Sequence, residues 1–195
     1  MDYETKKLKT KRLVIKRGIE EDFIKVYEYD FNKLQNVDGV FRLVKQDSKS
    51  IKELFKNGID KYYDKIKKAH MFDWIIYKDK TPIGNVLAMN EDKKSNAIEL
   101  VFNIHPAYWG NGYMKEALEE VIEYLYKVGF DNIICTYYEG NKKAKRVLDK
   151  LGFKPFKISP DAIKSTNGNL LDIYKLVMTK EDWFSKTGRL TKIEL

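Results

Sequence analysis

The sequence predicts a mixed α/β fold, a mostly antiparallel central sheet flanked by helices. Seven short segments read as strands, and four longer ones repeat apolar residues at helical spacing. In the second half of the chain a helix falls between two strands twice. That order gives an antiparallel front half followed by two strand-to-helix crossovers. A crossover joining neighbouring parallel strands leaves a ligand crevice at their carboxyl ends.

The elements follow in order. "RLVIKR" (12–17) alternates apolar and polar residues as a first strand. "EEDFIKVYEYDFNKL" (20–34) opens with acidic residues, as a helix start prefers. "SIKELFKNGIDKYYDKIKKA" (50–69) keeps Leu54, Phe55, Ile59, Tyr62, Tyr63 and Ile66 at helical spacing, with Gly58 placed to break it in two. The period then shifts. "FDWIIYK" (72–78) and "IGNVLAM" (83–89) form a hairpin around "DKTP", and "AIELVFNIH" (97–105) is the next strand. A long amphipathic helix carries Met114, Ala117, Leu118, Val121, Ile122 and Leu125, and Gly129 ends it. "NIICTYY" (132–138) is rich in β-formers. "NKKAKRVLDKLGF" is a capped helix, from Asn141 at its start to Gly152 at its stop. Two late strands, "FKPFKI" and "LLDIYKLVM", enclose a loop containing Asn167 and Gly168.

A chain of 195 residues is expected to form one domain, 1–195, with enough core to need no staple. One cysteine excludes an internal disulfide, and with two histidines argues against a zinc site, so no metal is expected. The opening "MDYETKKLKTKRLVIKR" lacks the apolar run of a signal peptide, and no stretch is apolar enough to span a bilayer. A cytoplasmic setting without membrane contact is expected. The net charge of +8 attracts polyanions in general, but the lysines are dispersed and no nucleic-acid-binding signature appears, which argues against nucleic acid as partner.

"HPAYWGNGYMKEAL" (105–118) places two glycines at a strand-to-helix junction. Such a loop points several backbone N–H groups one way, and the helix dipole adds positive potential there. Gly110 and Gly112 let an anion approach the backbone closely. The stretch is neither a Walker loop nor a dinucleotide fingerprint.

Taken with "RLVIKR", "DWIIYKDKTPIGNV", "NKKAKRVLDKLGF" and "DIYKLVMTKEDW" in that order, the sequence resembles the GNAT superfamily of acyl-CoA-dependent N-acyltransferases. Within it, the chain is most similar to the branch that acetylates ribosomal-protein N-termini. The likeness is strong from about residue 72 to 184 and weak in the two N-terminal helices. It implies a sheet splayed between its fourth and fifth predicted strands (97–105 and 132–138), with acetyl-CoA as cosubstrate in the gap. Trp109, Gly110, Asn111, Gly112, Tyr113 and Met114 would hold the pyrophosphate, Ile104 and His105 would lie along the pantetheine arm, and Asn141 would contact the cofactor near its sulfur end. Three positions depart from the family pattern. Ala107 stands where Gln or Arg is common, Leu148 where a proton-donating Tyr is common, and Ala144 where the closest branch often has Ser.

Amide formation from a thioester needs a neutral amine, and an α-amine near pKa ~8 asks less of a base than a lysine near ~10.4. Glu99 is the candidate general base, reached directly or through water. Strict alternation sets it on one strand face with Val101, Asn103 and His105, unless a bulge in that strand shifts the phase. His105 is mainly structural, Cys135 a buried inert thiol, and Tyr137 or Tyr138 an optional proton donor. The expected activity is N-acetyl transfer to a primary amine by direct attack in a ternary complex. The acceptor, a protein N-terminus or a small-molecule amine, would lie over the N-terminal helices and the loops at 30–50 and 158–170. The alternative is a catalytically silent acyl-CoA-binding sensor or regulator. The protein is expected as monomer or homodimer.

Overall fold

The computed structural model describes residues 1–27, 48–164 and 168–188. One eight-stranded sheet organises them, built of β1 (Leu8–Lys9), β2 (Leu13–Lys16), β3 (Phe72–Lys78), β4 (Thr81–Asp92), β5 (Ala97–Ile104), β6 (Asn132–Tyr138), β7 (Lys154–Lys164) and β8 (Leu170–Thr179). Their order across the sheet is β1-β2-β3-β4-β5-β6-β8-β7. Every neighbouring pair is antiparallel except β5 and β6, which run parallel. The helices are α1 (Glu20–Tyr27), α2 (Ser48–Phe55), α3 (Ile59–Lys68), α4 (Tyr113–Val128), α5 (Lys142–Leu151) and α6 (Lys180–Thr187).

Strand alternation sorts the side chains onto two faces. Phe72, Trp74, Ile76, Val86, Ile98, Leu100, Ile133 and Cys135 join the α4 residues Ala117, Leu118, Val121, Ile122 and Leu125 in the larger core. The opposite face packs Ile75 and Tyr77 against Phe23 and Val26 of α1 and Phe55 of α2. α4 buries one side along its whole length because its apolar residues recur every three or four positions, and Gly129 (φ 122°) stops it.

The expected elements form among the described residues, and β1 is additional. β7 continues to Lys164, through the start of the expected 158–170 loop, because it keeps pairing with β8 past a bulge between Ser159 and Ile163. Gly58, at φ 89°, separates α2 from α3. The first helix is described only to Tyr27, and its expected continuation to residue 34 lies outside the described residues. β4 runs past its expected end at residue 89 because it bulges between Met89 and Asp92 and keeps pairing with β5. The bulge allowed for in the 97–105 strand is therefore in its partner, and β5 alternates without interruption from Glu99 to Ile104. α6 was not legible from periodicity. Thr179 caps it by accepting from the Asp182 N–H at 3.0 Å, and its single buried anchor is Trp183.

Candidate active site

β5 and β6 pair only over Ala97–Leu100 and Asn132–Cys135. Beyond that point no register joins them, so the sheet forks where the parallel strands end, as expected from the sequence. The antiparallel ladder fixes which groups face the fork. His105 N–H donates to Ile83 C=O at 2.8 Å, so by alternation Phe102 and Ile104 turn their backbone groups away from β4, toward the opening.

The glycine loop stands at the mouth of the fork. His105 caps a single 3₁₀ turn, Pro106–Tyr108, by accepting from the Ala107 N–H at 3.2 Å, and His105 C=O accepts from Tyr108 N–H. Both backbone groups of His105 are thus engaged within the protein, and the fork edge is that of Phe102 and the Ile104 N–H. The Trp109 indole donates to Ile104 C=O at 2.9 Å, tying the loop back to β5. Gly110 (φ 80°) and Gly112 (φ 77°) adopt left-handed backbone that glycine adopts without strain. A Cβ at Gly110 would meet nothing within 4 Å, so the demand there is conformational and the approach to the backbone is open. Gly112 starts the 16-residue α4 without any side-chain cap. The N–H groups of residues 110–115 have no protein acceptor among the described residues. Six donors without a protein acceptor among the described residues, at the positive end of a helix, fit a phosphate group, and Ala107 adds nothing to them.

Glu99 sits at the fork itself. Its carboxylate accepts from the Thr136 hydroxyl at 2.6 Å and from the Asn90 amide at 3.0 Å. The first bond bridges β5 and β6 where their ladder ends. On the other face, Tyr137 and Tyr174 stack with ring centroids 5.0 Å apart and planes 8° apart. Burial raises the Tyr137 phenol above its ordinary pKa, against the pull of Lys145. Asn141 caps α5 by accepting from the Ala144 N–H at 3.1 Å. Lys143, the second residue of that helix, has its Nζ 4.3 Å from the Trp109 ring centroid, so a cation–π contact brings the α5 start and the glycine loop together. Leu148 is fully buried in the core. Cys135 is buried, and burial lifts its thiol well above the ordinary range, which suits an inert core residue.

Sequence reasoning missed a brace behind the loop. Thr10 Oγ1 donates to Glu116 Oε1 at 2.5 Å, Arg12 N–H donates to the same oxygen at 2.9 Å, and Arg12 Nε donates to Oε2 at 2.6 Å. Burial alone would raise the Glu116 carboxyl, but these hydrogen bonds outweigh it and hold the group below its usual range. Only contacts across 99 or more residues reveal this, and no local pattern signals it.

The face bearing Glu99 also carries an open cavity of about 570 Å³ whose lining includes Tyr62 and Ile66 of α3, Met71, and Leu87 of β4. Leu87 is paired with Val101 and Met89 with Glu99, so these four side chains share one face of the sheet. Tyr62 hydrogen-bonds the buried Asp73 carboxylate, whose Oδ1 has no partner among the described residues. Of the expected acceptor loops, residues 28–47 and 165–167 lie outside the described residues. Among the described residues, no three histidine, cysteine or acidic side chains gather as a metal site, and no helix is long and apolar enough to cross a membrane.

A sheet forked between two parallel strands, with an uncapped helix start at its mouth, is the architecture of an acyl-CoA-dependent acetyltransferase. The model of the acetyltransferase (GNAT) domain matches residues 12–154, and the chain belongs to that family. It is 29% identical over 179 residues to YnaD of Bacillus subtilis, an uncharacterized N-acetyltransferase, covering 89% of this chain and 97% of that one. An uncharacterized N-acetyltransferase of Schizosaccharomyces pombe, C18E5.08, is 37% identical over 94 residues, 48% of this chain and 49% of its own length. That match spans about half of the fission-yeast relative. Among solved structures, RimL, the ribosomal L7/L12 alpha-N-protein acetyltransferase in complex with coenzyme A, superposes with a TM-score of 0.75. The alignment covers 91% of this chain and 99% of that one at 9% identity, a likeness of fold.

Proposed function

We propose that this protein is an acetyl-CoA-dependent N-acetyltransferase that moves an acetyl group to a primary amine by direct attack in a ternary complex. The observation that carries the reading is the Glu99 carboxylate held at the fork by Thr136, at the inner end of the gap whose mouth is the donor loop. Bound acetyl-CoA supplies the thioester and the thiolate leaving group. The N–H groups of residues 110–114 hold its pyrophosphate, Asn141 and Lys143 border the same path, and the Phe102 and Ile104 backbone aligns the pantetheine arm. Glu99 takes a proton from the incoming ammonium, directly or through one water, and Thr136 and Asn90 keep its oxygens aimed. Cys135 takes no part, so no acyl-enzyme forms.

The acceptor reading is an α-amine, such as a protein N-terminus. It is partly neutral near pH 7.5, where a lysine side chain is almost wholly charged, and the alpha-N-protein activity named for RimL supports it. Free-thiol release from acetyl-CoA, measured against a panel of peptide and small-molecule amines, tests the proposal. Release that saturates with both substrates is expected. Calorimetric binding of acetyl-CoA with no release for any amine would replace the enzyme with the silent sensor, a reading that Leu148 and Ala144, in place of hydroxyl side chains, keep distinct.

A further inference from the structure

We infer that Arg12 is a positioning residue for the phosphate cradle, one that sets the direction of the Gly112 N–H by holding the peptide plane before it. The inference rests on the reading that residues 110–114 bind the coenzyme A pyrophosphate.

Arg12 lies in the turn between β1 and β2 and reaches the loop with three separate contacts. Its Nε binds Glu116 in the first turn of α4 at 2.6 Å, and its Nη1 donates to Asn111 C=O at 3.2 Å. Its guanidinium carbon lies 4.6 Å from the centroid of the Tyr113 ring. The chain has no cis peptide bond among the described residues, so Asn111 C=O and Gly112 N–H point in opposite directions from one peptide plane. Holding the carbonyl on Arg12 therefore turns the N–H away from Arg12, leaving it free for an anion. Asn111 does the same one step earlier. Its Nδ2 donates to Trp109 C=O at 3.0 Å, which turns the Gly110 N–H outward.

These two planes need holding because each adjoins a glycine at positive φ, where rotation meets little steric resistance. A flipped 111–112 plane would present a carbonyl oxygen to the phosphate in place of a donor. The loop has no side chain to make up the loss, since residue 107 is Ala. Arg12 is also paired with Glu116, so little of its contribution is net charge. Orientation is what it supplies, and a guanidinium fork can serve carboxylate, carbonyl and ring at once where an ammonium cannot.

The test compares wild type, Arg12→Ala and Arg12→Lys in three measurements: the dissociation constant for coenzyme A, kcat/KM for acetyl-pantetheine, which lacks the pyrophosphate, and the melting temperature. Arg12→Ala is expected to weaken coenzyme A about tenfold, as for loss of a hydrogen bond to a charged group, while acetyl-pantetheine turnover stays at the wild-type level. Arg12→Lys, able to pair with Glu116 but not to hold the carbonyl as well, should recover the melting temperature without recovering affinity. Equal losses toward coenzyme A and acetyl-pantetheine would mark Arg12 as general scaffold and overturn the inference. Should Arg12→Ala fail to fold, Arg12→Lys alone decides: wild-type affinity for coenzyme A in that variant would also overturn it. A wild-type protein that binds coenzyme A no more tightly than pantetheine is a different failure, one that removes the cradle reading and the inference with it.

Discussion

The two faces of the sheet are made by the same strands and have opposite characters. Toward α4, β3, β4 and β5 present Trp74, Ile76, Val86, Ile98 and Leu100, all essentially excluded from water. Toward α1, α2 and α3 the same strands present Asp73, Asn85, Glu99 and Asn103, and the buried cluster there has five members among the described residues. Period-two alternation lets one strand serve both needs. The dry face provides most of the hydrophobic stabilisation. The wet face keeps polar groups and a cavity between α2, α3 and β4, at a cost in packing. The Glu99 carboxylate lies where the two faces meet, at the line on which β5 and β6 part.

The largest effect should come from breaking the wet face at Glu99. Glu99→Gln keeps shape and both hydrogen-bonding partners but removes the base, so kcat should fall about 10²–10⁴-fold. The KM for acetyl-CoA and the melting temperature should stay near wild type. A variant with undiminished kcat would falsify the assignment and leave Glu99 as a strut between β5 and Thr136. The dry face answers in stability instead. Ile122→Ala, in the fully buried middle of α4, should cost about 2–5 kcal/mol in urea unfolding. Val101→Ala, on a wet-face residue that is 49% exposed, should stay within about 0.5 kcal/mol. Equal costs for the two would mean that residues on the wet face are packed against a partner.

Much of this was legible in the sequence because its causes are local. Apolar spacing placed α4, Gly129 and Gly152 marked where helices stop, and Asn141 announced its own cap. The glycine loop was legible as a junction, and the resemblance gave it a ligand. The brace from Thr10 and Arg12 to Glu116 was not legible, since polar residues beside a short strand look like ordinary surface until folding brings them against α4. The strict alternation expected for 97–105 holds, and the bulge lies in β4, which no reading of one strand could place because register belongs to a pair. The engagement of the His105 backbone was not legible either. Pairing with Ile83 and Tyr108 engages its backbone, a fact that depends on where β4 lies.

Asp73 offers a pH test of the wet face. Burial lifts its carboxyl to about 7, against the hydrogen bond from Tyr62. In the unfolded chain the group titrates near ~3.9. Between those values the native state binds more protons than the unfolded state, so stability should fall as pH rises from about 4 to about 7 and then level off. The full drop is up to about 4 kcal/mol at 1.36 kcal/mol per pH unit. Asp73→Asn should flatten that slope. It leaves one buried amide group unsatisfied at a cost of about 1–3 kcal/mol, so its net gain over wild type at pH 8 should be about 2 kcal/mol. Urea midpoints across pH 4–8 measure both, and an unchanged slope in the variant would locate the pH dependence elsewhere.

The smallest expected effect asks whether the reaction draws on both faces at once. Glu99 approaches the fork from the wet side, whereas Tyr137 lies on the side of α5, two residues beyond the last β5–β6 pair that includes Cys135. With Leu148 buried and Ala144 lacking a hydroxyl, the proton donor we propose to test on that side is the Tyr137 phenol. Burial keeps it protonated at neutral pH, the form a donor needs. A thiol of pKa ~8.5 leaves readily as the anion, so its protonation is worth less than removal of the amine proton. Tyr137→Phe should therefore lower kcat by about tenfold, less than the 10²–10⁴-fold typical of general acid–base catalysis, with the stack on Tyr174 and the melting temperature preserved. The deficit should persist at every pH below the phenol's own titration, since the wild-type donor stays protonated throughout. A Phe variant matching wild-type kcat over pH 6–9 would mean that the thiolate takes its proton from water, and that the chemistry of the fork belongs to the wet face alone.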